Sequence, residues 1–131
     1  MFNVQRLTFR KRERMVSQRL IDDLFAGGCS RSVAAFPLRA VYKLRERNDH
    51  EAPLQVLISV PKKHFHHAVD RNRVKRQVRE AWRRHKSLLV EAIASDKQLL
   101  VAFVWLADSL LSAQDVEERV AGIVKRLQEK L

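Results

Sequence analysis

The sequence predicts an α+β sandwich, a central mixed sheet of about four strands with helices packed on it. Three observations lead there. The apolar pattern runs in the order helix, strands, helix, strand, helix. Residues 98–106, QLLVAFVWL, are almost continuously apolar, the pattern of a central strand buried on both faces. A long helix, residues 68–93, separates that run from the strand before it, so the piece is a βαβ unit with two parallel strands.

In chain order, residues 1–14 are basic, with Phe2, Val4, Leu7 and Phe9 scattered through them. Residues 1–10 suit a flexible basic arm, and a strapped-down extension suits the pattern equally. Residues 11–25 read as a helix with the stripe Met15, Val16, Leu20, Ile21, Leu24 and Phe25. Gly27-Gly28 ends it, as glycine commonly does just past a helix C-terminus. Residues 29–35 are a loop or a short first strand. Residues 36–45 alternate, with Phe36, Leu38, Ala40, Tyr42 and Leu44 on one side and Arg39, Val41, Lys43 and Arg45 on the other. Residues 46–53 are polar turn material, and residues 54–60 form the next strand. The short connection predicts antiparallel pairing of these two strands. Ser112 starts a last helix, with Asp115 three residues on approximating a capping box. Val116, Val120, Ile123, Val124, Leu127 and Leu131 form its stripe.

The stretch 71–86, RNRVKRQVREAWRRHK, carries most of the chemistry. Arg71, Arg73, Lys75, Arg76, Arg79, Arg83, Arg84 and Lys86 are opposed only by Glu80. Val74, Val78, Ala81 and Trp82, with Leu88 and Leu89 beyond, recur at helical spacing and form one arc. An ordinary solvated helix face interleaves both signs as i,i+4 pairs. This face is nearly all cationic, with Arg76–Glu80 one of few pairs available. Such self-repulsion makes physical sense when a polyanion neutralises it.

Composition points the same way. The chain has 131 residues, enough for one domain with one core, and a normal 46% hydrophobic content. Its net charge of +11 and pI of about 10.7 are the footprint of a nucleic-acid binder. Cys29 is the only cysteine, so an intrachain disulfide is excluded. Arg6, Arg10, Lys11, Arg12 and Arg14 interrupt the N-terminus before any long apolar run, so no secretory signal is expected. The apolar run at 99–106 is too short to cross a bilayer, and the default location is the cytoplasm. Three glycines exclude a P-loop or dinucleotide fingerprint. No Ser/His/Asp, Cys/His or paired-acid arrangement suggests a catalytic centre, so the catalytic and metal sites are read as none. His64, His66 and His67 lack a standard zinc spacing and read as phosphate or base contacts at the helix entrance.

The run Val60-Pro-Lys-Lys63, then Ala68-Val-Asp-Arg-Asn-Arg-Val-Lys-Arg76, then Arg79-Glu80, resembles the signature of the bacterial ribonuclease P protein component. The resemblance extends to the basic N-terminal helix ending in Gly27-Gly28, the Phe36-Pro-Leu-Arg39 strand and the C-terminal strand and helix. It implies the fold of ribosomal protein S5 domain 2 with a left-handed βαβ crossover, against the general right-handed rule. It implies the protein subunit of an endoribonuclease that removes the 5′ leader from precursor tRNA. The catalytic RNA subunit would supply the active site with its Mg²⁺, and the protein itself would bind no cofactor. The implied partners are that RNA subunit and precursor tRNA, with no membrane.

For RNA binding, the resemblance singles out Lys62, Lys63, Arg71, Asn72, Arg73, Lys75, Arg76, Arg79 and Arg83. Phe25, Phe36, Arg39 and Tyr42 are candidates for the leader cleft, between the first helix and the sheet. Ile21 is aliphatic where relatives often carry an aromatic. Trp82 and Trp105 read as core. A generic RNA-binding factor and a stand-alone nuclease are the rival readings. A helix-turn-helix fits less well, because no partner helix directly precedes the basic one.

Overall fold

The computed structural model describes residues 14–15, 18–26, 30–48 and 51–131. The elements are α1 (Gln18–Ala26), β1 (Arg31–Ala35), β2 (Leu38–Glu46), β3 (Leu54–Ser59), α2 (Ala68–His85), α3 (Ser87–Ala92), β4 (Lys97–Trp105) and α4 (Ala113–Lys130). One four-stranded sheet has the order β1-β2-β4-β3. β1 is antiparallel to β2, β2 is antiparallel to β4, and β3 is parallel to β4.

The parallel βαβ unit is as expected, but the pairing of β2 with β3 is not. β4 lies between them. Its side chains are apolar on both faces, so the central position is where all of them can be buried. Leu99, Val101, Phe103 and Trp105 face one core with Val74, Val78, Ala81 and Trp82 of α2 and the α4 stripe. Trp82 meets Phe103 edge-on at 5.3 Å between centroids. Leu100 and Ala102 face the opposite side, where Met15, Leu24 and Val41 complete a smaller core.

Several boundaries differ from those expected. Arg14 and Met15 are not helical. They bridge the outer edge of β3, with Met15 N–H donating to Val56 O at 2.9 Å. Phe36 and Pro37 form the turn between β1 and β2, across a cis peptide, rather than the start of a strand. The long helix breaks at Lys86, where Leu89 N–H bonds back only three residues, to Lys86 O. Leu88 and Leu131 are exposed rather than core. The α4 start is as read, since the Ser112 hydroxyl accepts from Asp115 N–H at 3.1 Å. Residues 1–10, Gly27-Gly28 and Cys29 lie outside the described residues.

No helix among the described residues is long and apolar enough to cross a membrane.

Candidate nucleic-acid interface

α2 presents its cations as the 3.6-residue period dictates. Val74, Val78, Ala81 and Trp82 are buried, which leaves Asn72, Arg73, Arg76 and Arg79 exposed on the opposite surface. Val69, 77% exposed, shares that surface with Arg73 and Arg76, at four and seven residues on. Lys75 and Arg71 are half-buried at its margin. Lys62 and Lys63 are exposed in the turn that leads into the helix.

Two cations are not simply presented to solvent. Arg71 donates to Phe65 O at 2.7 Å and His66 O at 3.1 Å, so its guanidinium ties down the loop before α2. Arg83 is held by Glu80. Glu80 also approaches Arg84 at 3.7 Å, which replaces the expected Arg76–Glu80 pair. Arg84 reaches across to Glu117 of α4 at 2.8 Å. The hydrogen bond from Arg83 holds the Glu80 carboxyl below its ordinary range despite some desolvation. Arg76 is thereby left out of the acid network and faces outward.

The second feature lies on the other face of the sheet. The strand register aligns Ser59, Val104, Arg39 and Ala34 across β3, β4, β2 and β1, one row beyond the part that α1 covers. α1 sits on Val41, Leu100 and Ala102 through Leu24, with Leu20 and Ile21 beside it. Lys43 pins it from below through Asp23 at 2.5 Å. Past its C-terminal turn opens a groove of about 370 Å³ lined by Phe25, Ser30, Arg31, Ser32, Arg39 and Val104. Phe25 is half exposed there. A flat aromatic face beside guanidinium groups is the arrangement that stacks a base and holds a phosphate.

The structure therefore brings Phe25 and Arg39 together but not the other two cleft candidates. Tyr42 is 7% exposed and belongs to the α2/α4 core on the opposite face, as its alternation with Arg39 and Val41 requires. Phe36, 68% exposed, stands at the hairpin tip and does not line the groove. Ile21 packs against the smaller core. Sequence reasoning missed Ser30, Arg31, Ser32 and Val104. The alternation of β1 against β2 was the available signal for Ser32, while Arg31 comes from the strand end. A second, polar groove of about 730 Å³, with Arg19, Arg45, Asn48 and Gln55 in its lining, had no sequence signal.

The groove and the start of the cationic helix lie at the same end of the sheet, on opposite faces. β3 ends at Ser59, in the row of Arg39, and the chain turns there into the loop that starts α2. His64 in that loop bonds Asp108, just past the end of β4, at 2.6 Å. Among the described residues, no three His, Cys, Asp or Glu side chains are grouped to hold a metal ion.

The chain as a whole is similar to known proteins. The Ribonuclease P family model matches residues 9–128. The ribonuclease P protein component of Porphyromonas gingivalis is 38% identical over 87% of each chain. That of Chlorobaculum tepidum is also 38% identical, over 57% of this chain and 53% of its own. Among solved structures, the Staphylococcus aureus RNase P protein superposes with a TM-score of 0.64 at 23% identity, covering 88% of this chain and 94% of that one. The Thermotoga maritima RNase P protein gives 0.65 at 21% identity, covering 87% and 96%. At those identities the structural likeness is one of fold. The family model and the 38% identity, which span the cationic helix and the groove alike, place this chain in the ribonuclease P protein family.

Proposed function

We propose that this chain is the protein subunit of a bacterial ribonuclease P, the endoribonuclease that frees the 5′ end of tRNA. It binds the catalytic RNA subunit through Asn72, Arg73, Lys75, Arg76 and Arg79 of α2, with Lys62 and Lys63 extending the contact. Arg83 joins when RNA phosphate competes with Glu80 for it. Arg71 contributes by fixing the loop that carries the lysines. The RNA subunit, with its bound Mg²⁺, performs the hydrolysis in the cytoplasm. The groove at Phe25 and Arg39 takes the single-stranded leader of precursor tRNA.

The observation that carries this reading is that the one-signed face of α2 begins at the end of the sheet where the groove opens on the opposite face. The contacts available are guanidinium forks, ammonium groups and an aromatic face, which bind backbone and base planes without reading base edges. That suits a substrate set with unrelated leader sequences.

The test is a comparison of affinities. The particle of this protein with a bacterial ribonuclease P RNA should bind precursor tRNA more tightly than mature tRNA. Phe25→Ala and Arg39→Ala should shrink that preference while leaving assembly with the RNA subunit intact. Equal affinity for the two tRNAs would leave a general RNA binder as the better reading.

A further inference from the structure

We propose that His64 is a phosphate-binding residue of this interface, oriented by Asp108, and that RNA binding there takes up a proton. The inference rests on the RNA-binding reading above and adds a residue pair to it. His64 Nδ1 lies 2.6 Å from the Asp108 carboxylate, a contact that joins the loop before α2 to the segment after β4. Asp108 itself is largely exposed, whereas the imidazole is mostly covered. A carboxylate accepts only, so Nδ1 carries the hydrogen and the ring orientation is set. Among the described residues Nε2 has no hydrogen-bond partner, and it is not sealed from solvent.

The surroundings favour an anion at Nε2. Lys62 and Lys63 precede His64 in the same turn, and His66 and His67 follow it, all exposed. Arg71 of α2 is tied to the carbonyls of Phe65 and His66, so the loop is held in shape. Asp70, in the first turn of α2, and Asp108 are the acids among these neighbours. Phosphate oxygens only accept hydrogen bonds. With Nδ1–H committed to Asp108, Nε2 reaches phosphate only when it too is protonated. The bound state is then an imidazolium between the Asp108 carboxylate and an RNA phosphate. Both neighbours stabilise its charge, so binding is coupled to uptake of a proton. Affinity therefore falls as pH rises and protons become scarcer.

The experiment measures affinity for a bacterial ribonuclease P RNA from about pH 5.5 to 8, across the range in which imidazole changes charge. Salt is held constant, and melting temperatures report folding. Wild type should lose affinity with rising pH about tenfold more than His64→Gln does, the scale of one linked proton. Asp108→Asn should weaken binding and move the loss to lower pH. His64→Arg should restore affinity and keep it flat, which a merely structural imidazole would not allow. A double variant, His66→Gln with His67→Gln, should retain the His64-dependent part of the slope.

An unchanged pH slope in His64→Gln overturns the inference, whether or not overall affinity drops. Absence of RNA binding by the wild type at every pH overturns the functional reading first.

Discussion

At the scale of single residues, RNA binding of the kind proposed depends on which cations are unpaired and exposed. Arg73 and Arg76 are exposed on α2, and among the described residues neither is paired with Glu80 or Glu117, which hold Arg83 and Arg84. Replacing both with alanine should lower the slope of log affinity against log salt by about one unit per residue, as lost phosphate contacts do. The fold should be unaffected, since neither side chain is buried. An unchanged slope would remove this face from the interface. Glu80 provides the opposite test. It neutralises Arg83 and Arg84 in the free protein, so Glu80→Gln should tighten RNA binding by about two- to fivefold at low salt, the scale of an exposed ion pair. Its carboxyl is held below the ordinary range by Arg83. The small stability it adds is therefore present above the unfolded-state pKa and lost as pH falls through the lower folded value. An NMR titration of the Glu80 side chain would read that displacement directly. The cation row was legible because helical periodicity assigns exposure to each position. The partner of Glu80 was not, because i+3 and i+4 neighbours on both sides compete for it, and Glu117 enters from another helix.

At the scale of elements, α1 is among the more lightly held of those described. It has nine residues and is held by Leu24, a few flanking apolar contacts and the Lys43–Asp23 pair. Leu24 is fully buried, so Leu24→Ala should cost about 2–5 kcal/mol by the usual core-truncation scale. If α1 undocks locally, the leader preference should vanish before binding to the RNA subunit does. Precursor and mature tRNA affinities measured below the melting transition would show this. Ser112→Ala should cost about 1 kcal/mol, a lost helix cap, with no change in RNA affinity. Element types were legible from period and run length, and β4 most clearly. Strand adjacency was not, because a short connection constrains distance but not which strand fills the space between. The two-fold alternation of β2 also held the information that separates Tyr42 from Arg39. Grouping them in one cleft set aside the rule that neighbours three apart on a strand face opposite ways.

At the scale of the whole molecule, a charge of +11 on 131 residues favours association with polyanions in general at low salt. Binding alone therefore distinguishes little. The proposed function rests instead on the start of α2 and the groove lying at one end of the sheet. The family resemblance was legible in the Lys-Lys and Arg-Asn-Arg spacing. The shared end depended on the register of β3, β4 and β2, a long-range property that local pattern does not carry.

The most direct measurement of the central claim is cleavage of a precursor tRNA in Mg²⁺ at low salt. It compares this protein alone, a bacterial ribonuclease P RNA alone, and the two together. The account predicts stimulated cleavage at the mature 5′ end only in the mixture, and loss of that stimulation with Arg73→Ala and Arg76→Ala combined. Cleavage by the purified protein alone, or firm RNA binding with no stimulation of the RNA subunit, would contradict it.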